Sequence, residues 1–169
     1  MFQDEASFGR ISQPASCWVP PKCQPTAPSQ RIREYKPVYG AVSPDDGESY
    51  FVVLEKCNSE NMEIFLGGLA KKFSDELILL VVDQASYHTA KILVIPKNIE
   101  FFYLPPRTPE MNPVEMVWRD IRKRGFKNKV FSSIAEVVAK FHEVIEEMSK
   151  EVFRSITCWN WISQILALI

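Results

Sequence analysis

Cysteine and histidine are scarce in this chain. Its four cysteines show no C-x-x-C spacing and are spread over the whole length, as Cys17, Cys23, Cys57 and Cys158, so a zinc site is not expected. An excess of positive charge is also missing, because 20 Lys and Arg residues face 21 Asp and Glu residues and give a formal net charge of −1. This balance argues against a protein held to nucleic acid by its total charge, but it leaves room for a local basic face.

Long apolar runs and targeting segments are missing as well. The apolar tail at 159–169 is too short to span a bilayer, and the acidic start has no basic region followed by a long apolar stretch, so no signal peptide is visible. We expect a cytoplasmic protein with reduced thiols and no membrane contact. The sequence has 169 residues, of which 46% are hydrophobic. This is enough for one core and predicts a single domain over residues 1–169.

The most hydrophobic segment is Leu77–Val82, a run of six apolar residues that is followed by Asp83. Such a run predicts a short strand that is buried on both faces, in the middle of a sheet with helices on each side. A carboxylate is costly to bury without a positive partner, and a metal ion is one candidate for that partner. The alternative interpretation is that Asp83 caps the following turn through its carboxylate.

The chain begins with Met1–Glu5, which we interpret as the end of a truncated first strand, because a central strand usually has about five or six residues. Asp4 is then a strand-end carboxylate. Glu5 is a rival for any role in a site, but alternation along a strand sends the two side chains to opposite faces. If this strand lies parallel to the one before Asp83, the two aspartates meet at the edge where open α/β sheets bind ligands.

The middle of the chain supplies further elements. Val38–Val42 and Tyr50–Leu54 flank Pro, Asp and Gly turn formers, which predicts a hairpin. The proline-rich stretch 9–37 predicts an irregular loop with at most a short strand around 17–19. Apolar residues at three- and four-residue steps predict a helix at about 59–73. The order of strands and helices favours an α/β sheet of mixed direction.

The segment Asn112–Glu115 has the composition of a helix start, with Asn as N-cap, Pro at the first helical position and Glu at the third. A second helix opens with the capping box Ser133–Glu136, and a last helix is predicted at about 155–168. Considered alone, Glu115 is more simply half of a capping box than a ligand. Trp118 and the other helical aromatic residues are most simply core.

Three segments carry a more specific pattern: Phe2–Phe8 (FQDEASF), Val81–His88 (VVDQASYH) and Tyr103–Trp118 (YLPPRTPEMNPVEMVW). They resemble, in the same order, three motif blocks of bacterial mariner-like insertion-sequence transposases, and the third is the most specific. These transposases are DDE-type enzymes with an RNase H-like fold. The resemblance therefore implies an RNase H-like mixed sheet of about five strands flanked by helices, with extra C-terminal helices.

Carried over residue by residue, the resemblance makes Asp4, Asp83 and Glu115 the acidic triad that holds Mg²⁺ or Mn²⁺, with two ions expected. Magnesium prefers carboxylate oxygens and keeps waters and substrate phosphates as its other ligands. Two such ions activate the attacking oxygen and stabilise the leaving one in phosphodiester cleavage. The implied function is cleavage of DNA at transposon ends and strand transfer, by a homodimer that works at the nucleoid of a bacterial cytoplasm.

The sequence also departs from the family pattern. Gln84 stands where the family often has Asn, 31 residues separate Asp83 from Glu115, which is short, and no N-terminal helix-turn-helix region is found. Two alternatives stay open: another RNase H-like metal-dependent nuclease, such as a junction resolvase or a ribonuclease, and an inactive remnant that binds DNA or a protein. His88 matches a histidine often seen in the second block, and we assign it no catalytic role.

Positive charge is concentrated just after Glu115. From 116 to 130 the local charge is +5, because Asp120 is the one acidic residue among six basic ones: Arg119, Arg122, Lys123, Arg124, Lys127 and Lys129. Arg119 and Arg122 follow Glu115 on roughly the same helical stripe and are predicted to meet phosphates beside the metal ions. For any single residue a solvated helix face is the simpler interpretation, but the cluster as a whole favours DNA as a partner.

Overall fold

A computed structural model of the chain describes residues 1–85 and 93–167. Within these residues, none of the helices is long and apolar enough to cross a membrane. A single 3-10 turn, Pro109–Met111, precedes the second helix. The elements in chain order are β1 (Phe2–Ile11), β2 (Arg31–Val42), β3 (Ser49–Val53), α1 (Ser59–Lys72), β4 (Ile78–Val82), β5 (Ile99–Tyr103), α2 (Val114–Gly125), α3 (Ile134–Glu147), α4 (Lys150–Thr157) and α5 (Asn160–Leu166).

The strands form one sheet in the order β3-β2-β1-β4-β5. The pairs β1–β2 and β2–β3 are antiparallel, whereas β4 runs parallel to both β1 and β5. In this register Phe2 pairs with Val81, and Asp4 lies opposite Gly40. The predicted α/β sheet of mixed direction with about five strands is confirmed, and so is the predicted hairpin, which is formed by β2 and β3.

The sheet separates two apolar layers. On one face α1 packs its buried residues, among them Phe65 and Leu66, against side chains such as Leu80 of β4. On the other face α2 to α5 cover Phe2, Ala6 and Phe8 of β1. Because side chains alternate along a strand, Asp4 shares this second face with Phe2, Ala6 and Phe8. Its carboxylate is thereby directed toward α2.

The apolar face of α2 fixes this helix against the sheet. Val114, Val117, Trp118 and Ile121 are each at most 1% exposed, and burying a side chain of this size contributes roughly 1.5–3 kcal/mol. Glu115 directly follows Val114 in the sequence, but its side chain is not part of this apolar face and is exposed. The packing of the buried residues therefore sets where Glu115 stands relative to the sheet.

The first strand differs most from the sequence-based expectation. β1 does not end near Asp4 but runs on to Ile11, and β2 begins as early as Arg31, so both ends of the stretch 9–37 are strand. The short strand that the sequence allowed around 17–19 does not form, so the interior of the stretch is irregular as predicted. The prolines that suggested a loop are confined to the interior of the stretch and to Pro37, while Phe8 gains burial in the core by extending β1.

The last predicted helix is also corrected, because 155–168 does not form one continuous helix. It consists of the end of α4 and of α5, with a break at Cys158 and Trp159. Trp159 has an extended backbone, and its indole N–H donates to the carbonyl of Ile156 over 2.9 Å. The break lets Phe153 of α4 and Ile162 of α5 both reach the core.

Candidate active site

Three acidic side chains line one small cleft of about 90 Å³ next to the end of β4. Asp4 is on β1, Asp83 directly follows β4, and Glu115 is in the first turn of α2. The parallel pairing of Phe2 with Val81 places Asp4 and Asp83 at equivalent positions on neighbouring strands. The fold thus brings together three carboxylates that are far apart in the sequence.

Asp4 is held by a tryptophan. The indole N–H of Trp118 donates to Oδ2 of Asp4 over 2.9 Å, and the tryptophan itself is only 1% exposed. Its ring packs edge-on against Phe8 and Phe51. Sequence reasoning assigned Trp118 to the core and missed this contact; the one available signal was its position a single helical turn after Glu115.

The acid–base properties of Asp4 reflect its burial and the negative charges near it. Its pKa is raised to about 7, first by burial and then by the charges of Glu115 and Glu5, while the hydrogen bond from Trp118 opposes the shift. The charged form of such a carboxyl is favoured by any positive charge brought next to it. The cleft is therefore electrostatically suited to a cation.

Asn112 connects the strand of Asp4 to the helix of Glu115. Its side chain is 4% exposed, donates from Nδ2 to the carbonyl of Gln3 over 2.8 Å, and accepts from the backbone N–H of Val114 over 3.1 Å. The N-cap is Pro113 and not the predicted Asn112, and Glu115 is the second helical residue and not the third. The Asn112 side chain still satisfies the N–H of Val114 in the first turn. The predicted helix start therefore also fixes the cleft.

The wall of the cleft between β5 and α2 is a tight turn. Leu104, Pro105, Thr108 and Pro109 line it, and the Thr108 hydroxyl donates to the Pro105 carbonyl over 2.7 Å. Arg107 has a left-handed backbone with a φ of 62°, which is uncommon for a residue other than glycine. Residues of the third motif block, between Leu104 and Trp118, therefore form this side of the cleft.

Asp83 also has a role in the local backbone. Its Oδ1 accepts a hydrogen bond from the N–H of Ala85 over 2.9 Å, as the turn-capping interpretation requires, and it lines the cleft at the same time. Gln84 donates from Nε2 to the carbonyl of Leu104 over 2.9 Å, so this amide ties the ends of β4 and β5 together. His88 lies outside the described residues.

Glu5, the rival of Asp4, does not line the cleft. Its carboxylate accepts a hydrogen bond from Nε2 of Gln3 over 2.8 Å, and alternation along β1 places both on the face opposite Asp4. Gln3 is buried, and its Oε1 is the one buried side-chain polar atom in residues 1–85 and 93–167 that has no hydrogen-bond partner. The hydrogen-bonded pair of Gln3 and Glu5 is therefore separated from the cleft by the backbone of β1.

The basic residues after Glu115 divide into two groups. Arg119, Lys123 and Lys127 are exposed and form no ion pair with a described residue. Arg124 is exposed too, but it forms an ion pair with Asp120 one turn earlier. Lys129 is exposed as well and forms no ion pair with a described residue, so the exposed side of α2 and the segment after it keep four cations available for an anionic partner.

Arg122 is placed differently from these residues. It is half-buried, and its guanidinium lies 5.1 Å from the centroid of the Phe8 ring in a cation–π contact. Burial lowers its pKa, whereas the nearby charges of Glu115 and Asp4 raise it. The Arg122 side chain therefore lies against β1, near the carboxylates of Asp4 and Glu115, and not on the exposed face of α2.

The donor set of the cleft fits a divalent cation. Carboxylate oxygens are the ligands that Mg²⁺ and Mn²⁺ take in proteins, and the charges of Glu115 and Glu5 add to the effect of burial in raising the pKa of Asp4. The carboxylates do not converge on one point: among residues 1–85 and 93–167, no three Asp, Glu, His or Cys side chains are close enough to share an ion.

The family follows from comparison with known sequences. Residues 1–138 match the sequence profile described as DDE superfamily endonuclease. The chain belongs to this DDE endonuclease family. An uncharacterized protein of Sinorhizobium fredii (strain NBRC 101917 / NGR234), y4pE/y4sA, is 36% identical to the DDE domain over 102 residues, which is 60% of this chain and 76% of that protein.

Solved structures match the fold of the DDE domain. The Mos1 transposase paired-end complex with left transposon end has a TM-score of 0.70 at 16% identity, and the match covers 92% of this chain and 50% of the transposase chain. The mariner Mos1 paired-end complex with Mg gives a TM-score of 0.64, also at 16% identity, with the same coverage of both chains. The chain thus spans about half the length of these transposases. The predicted RNase H-like fold and the predicted DDE-type kinship are confirmed.

Replacing Asp4 by Asn is expected to stabilise the DDE domain in a pH-dependent manner. In the folded state Asp4 keeps its proton up to a pKa of about 7, above the ordinary value of 3.8, so the wild type loses stability as the pH rises from about 4 to about 7. The advantage of Asp4→Asn in free energy of unfolding should therefore grow over this window by on the order of 4 kcal/mol and then level off. Urea unfolding in EDTA measures it. The exposed Asp75→Asn is the control, and parallel stability curves for Asp4→Asn and wild type would contradict the assignment.

Gly40→Ala should disturb the support of Asp4. A Cβ at this position would lie 2.5 Å from Cη2 of Trp118 and 2.7 Å from the Phe51 ring, so one of two buried rings has to move. We expect a loss of about 1–3 kcal/mol in the free energy of unfolding and a shifted indole N–H resonance of Trp118. Gly67→Ala is the matched control, because nothing lies within 4 Å of its Cβ and alanine in a helix gains up to about 1 kcal/mol. Equal effects of the two substitutions would count against a close packing of Trp118 over Gly40.

Proposed function

We propose that this domain is the catalytic part of a DDE transposase, with Asp4, Asp83 and Glu115 as its catalytic residues. One observation carries the proposal: three carboxylates from β1, the end of β4 and the start of α2 line a single cleft. Kinship with DDE endonucleases and the fold shared with Mos1 transposase add support. Neither a ribonuclease or resolvase nor an inactive remnant is favoured by any feature of the site.

The same three residues would hold Mg²⁺ or Mn²⁺, and we propose two ions. A Mos1 complex solved with Mg supports the choice of metal, as does the set of oxygen donors. When bound, the ions supply an activated attacking oxygen and a stabilised leaving oxygen at the phosphodiester. With water as the attacking group the result is strand cleavage, and with a freed 3′-hydroxyl it is strand transfer.

The protein's own residues prepare this site. The Trp118 indole N–H stabilises the carboxylate form of Asp4 and fixes the direction of its second oxygen. Asn112 sets the distance between β1 and the first turn of α2, and the Ala85 N–H orients Asp83. These contacts restrict the carboxylates before any ligand arrives, which lowers the cost of ordering them during the reaction.

The partner is proposed to be DNA, namely transposon ends and a target, with two copies of the protein acting as a homodimer. The Mos1 structures support this, since one is a paired-end complex with a left transposon end. Arg119, Lys123 and Lys127 are the exposed cations proposed to contact phosphates. Residues 1–169 are proposed to act as one catalytic domain, at the nucleoid of a bacterial cytoplasm.

Loss of charge at Asp83 should abolish metal-dependent nicking. We expect wild-type protein to nick supercoiled DNA with Mg²⁺ or Mn²⁺, and Asp83→Asn to fall to the level seen in EDTA. Asparagine keeps a side-chain oxygen for the Ala85 N–H, so the turn is preserved and the effect reports on the negative charge. Asp75→Asn serves as the exposed control. Nicking by Asp83→Asn or in EDTA at the wild-type rate would exclude the mechanism.

The exposed cations should differ in their contribution to DNA binding. Lys123→Gln is expected to weaken duplex binding and to lower the slope of log K against log salt by about one, because one phosphate contact is lost. Arg124→Gln should have a smaller effect, since Arg124 is already paired with Asp120. Fluorescence anisotropy between about 50 and 200 mM salt distinguishes the two. If neither slope changes, this side of α2 does not contact DNA.

A further inference from the structure

One of the two oxygens of the Asp4 carboxylate is bound to a tryptophan. Oδ2 accepts the indole N–H of Trp118 over 2.9 Å, while the Asp4 side chain also lines the cleft. A hydrogen bond from an N–H to a charged carboxylate is roughly twice as strong as one between neutral groups. A cation that enters the cleft therefore meets a carboxylate of which one oxygen is already engaged.

The packing of Trp118 keeps its indole on this oxygen. The side chain is 1% exposed, and its ring packs edge-on against Phe8 and Phe51, with ring centroids 6.1 and 5.6 Å away. Turning the ring would need space in a closely packed interior, and it would leave a buried N–H without an acceptor, which is costly. We therefore expect the bond to Asp4 to persist when a cation is bound.

A glycine makes room for this arrangement. Asp4 and Gly40 are cross-strand partners in the pairing of β1 with β2, so a side chain at position 40 would share the face of Asp4. A Cβ on Gly40 would lie 2.5 Å from Cη2 of Trp118. The indole thus occupies the space next to Asp4 that a side chain at position 40 would need, and its N–H reaches the carboxylate from there.

Asp83 is restricted in a similar way. Its Oδ1 accepts the backbone N–H of Ala85 over 2.9 Å. Two of the three carboxylates that line the cleft therefore each have one oxygen bound to an N–H of the protein. Such carboxylates are suited to give a cation one oxygen each and not two.

The number of oxygens that each carboxylate gives affects which cation is bound. Mg²⁺ requires nearly ideal octahedral geometry and keeps several of its waters, whereas Ca²⁺ takes roughly six to eight oxygens and accepts both oxygens of one carboxylate. Mn²⁺ resembles Mg²⁺ in its preference for oxygen ligands in an octahedron. A cleft whose carboxylates give one oxygen each therefore favours the smaller ions over Ca²⁺.

We propose that Trp118 is a positioning residue that makes Asp4 a one-oxygen ligand and thereby sets a preference of the cleft for Mg²⁺ and Mn²⁺ over Ca²⁺. The inference rests on the proposed function, in which the cleft binds divalent metal ions. Trp118 acts through Asp4 and contributes no ligand of its own. Without its N–H, Oδ2 is released, and the carboxylate can turn both oxygens toward one ion.

Trp118→Phe tests the proposal, because it removes the N–H and keeps an aromatic ring in the core. Isothermal titration of metal-free protein with Mg²⁺ and, separately, with Ca²⁺ gives the two affinities. The ratio of Ca²⁺ to Mg²⁺ affinity should rise about tenfold, since the number of ligands and the rigidity of a site tune calcium affinity over decades. A merely structural loss would weaken both ions equally and leave the ratio unchanged.

Trp159→Phe is the matched control. Its indole N–H also donates to an oxygen over 2.9 Å, but this oxygen is the carbonyl of Ile156, which does not line the cleft. The ratio of the two affinities in Trp159→Phe should match that of the wild type. Thermal melting verifies that both variants are folded.

Nuclear magnetic resonance of the wild type separates this inference from the proposed function. Mn²⁺ is paramagnetic and should broaden the indole N–H resonance of Trp118 at lower concentration than that of Trp159. Broadening of neither would refute metal binding in the cleft and the proposed function with it. Broadening of Trp118 together with an unchanged affinity ratio in Trp118→Phe would refute the inference alone. If Trp118→Phe does not fold, the wild type still decides: Mg²⁺ must leave the Trp118 N–H at its hydrogen-bonded chemical shift, and a move to the shift of a free N–H would overturn the proposal.

Discussion

The buried amide of Asn112 is the interaction on which the geometry of the cleft depends. It links the backbone of Gln3 to the first turn of α2 and so joins two segments that are 109 residues apart in the sequence. No water competes for a buried amide, and leaving one of its bonds unmade costs about 1–3 kcal/mol. Asn112 binds the carbonyl of Gln3 and the N–H of Val114, and these residues directly precede Asp4 and Glu115. Two carboxylates that are 111 positions apart in the sequence (115 − 4) are thereby fixed by a side chain that has no charge of its own.

The cleft is locally unfavourable for folding. Asp4, Asp83 and Glu115 line a small space, and the raised pKa of Asp4 reflects the repulsion and burial that result. The apolar face of α2 and the aromatic contacts of Trp118 offset this cost from the other side of the same helix. Functional sites often break a local rule of folding that neighbouring packing compensates. Trp118 takes part in both the site and the compensating packing, because its ring packs in the core and its N–H binds the carboxylate of Asp4.

Sequence reasoning succeeded where a local pattern determines the structure. The apolar run before Asp83 became β4, although Leu77 and Leu79 are 75% and 50% exposed, so the strand is not buried on both faces along its whole length. The turn formers after Val42 became the hairpin. It failed where residues from distant elements decide. Nothing near Arg122 in the sequence indicates that its guanidinium packs on Phe8 of β1. Nor does a glycine or proline mark the break between α4 and α5, which follows from how Phe153 and Ile162 fit the core.

The proline-rich segment between β1 and β2 leaves and re-enters the fold at one place. Its two ends meet where the Ser12 N–H donates to the Gln30 carbonyl over 2.9 Å, and both ends are bonded to the stretch from Lys127 to Phe131. A loop closed at its base transmits little of its own conformation to the sheet, and doubling the length of a flexible loop costs only about 0.6 kcal/mol. Relatives of this domain can therefore lengthen, shorten or recompose this segment during evolution while the carboxylates of the cleft keep their positions.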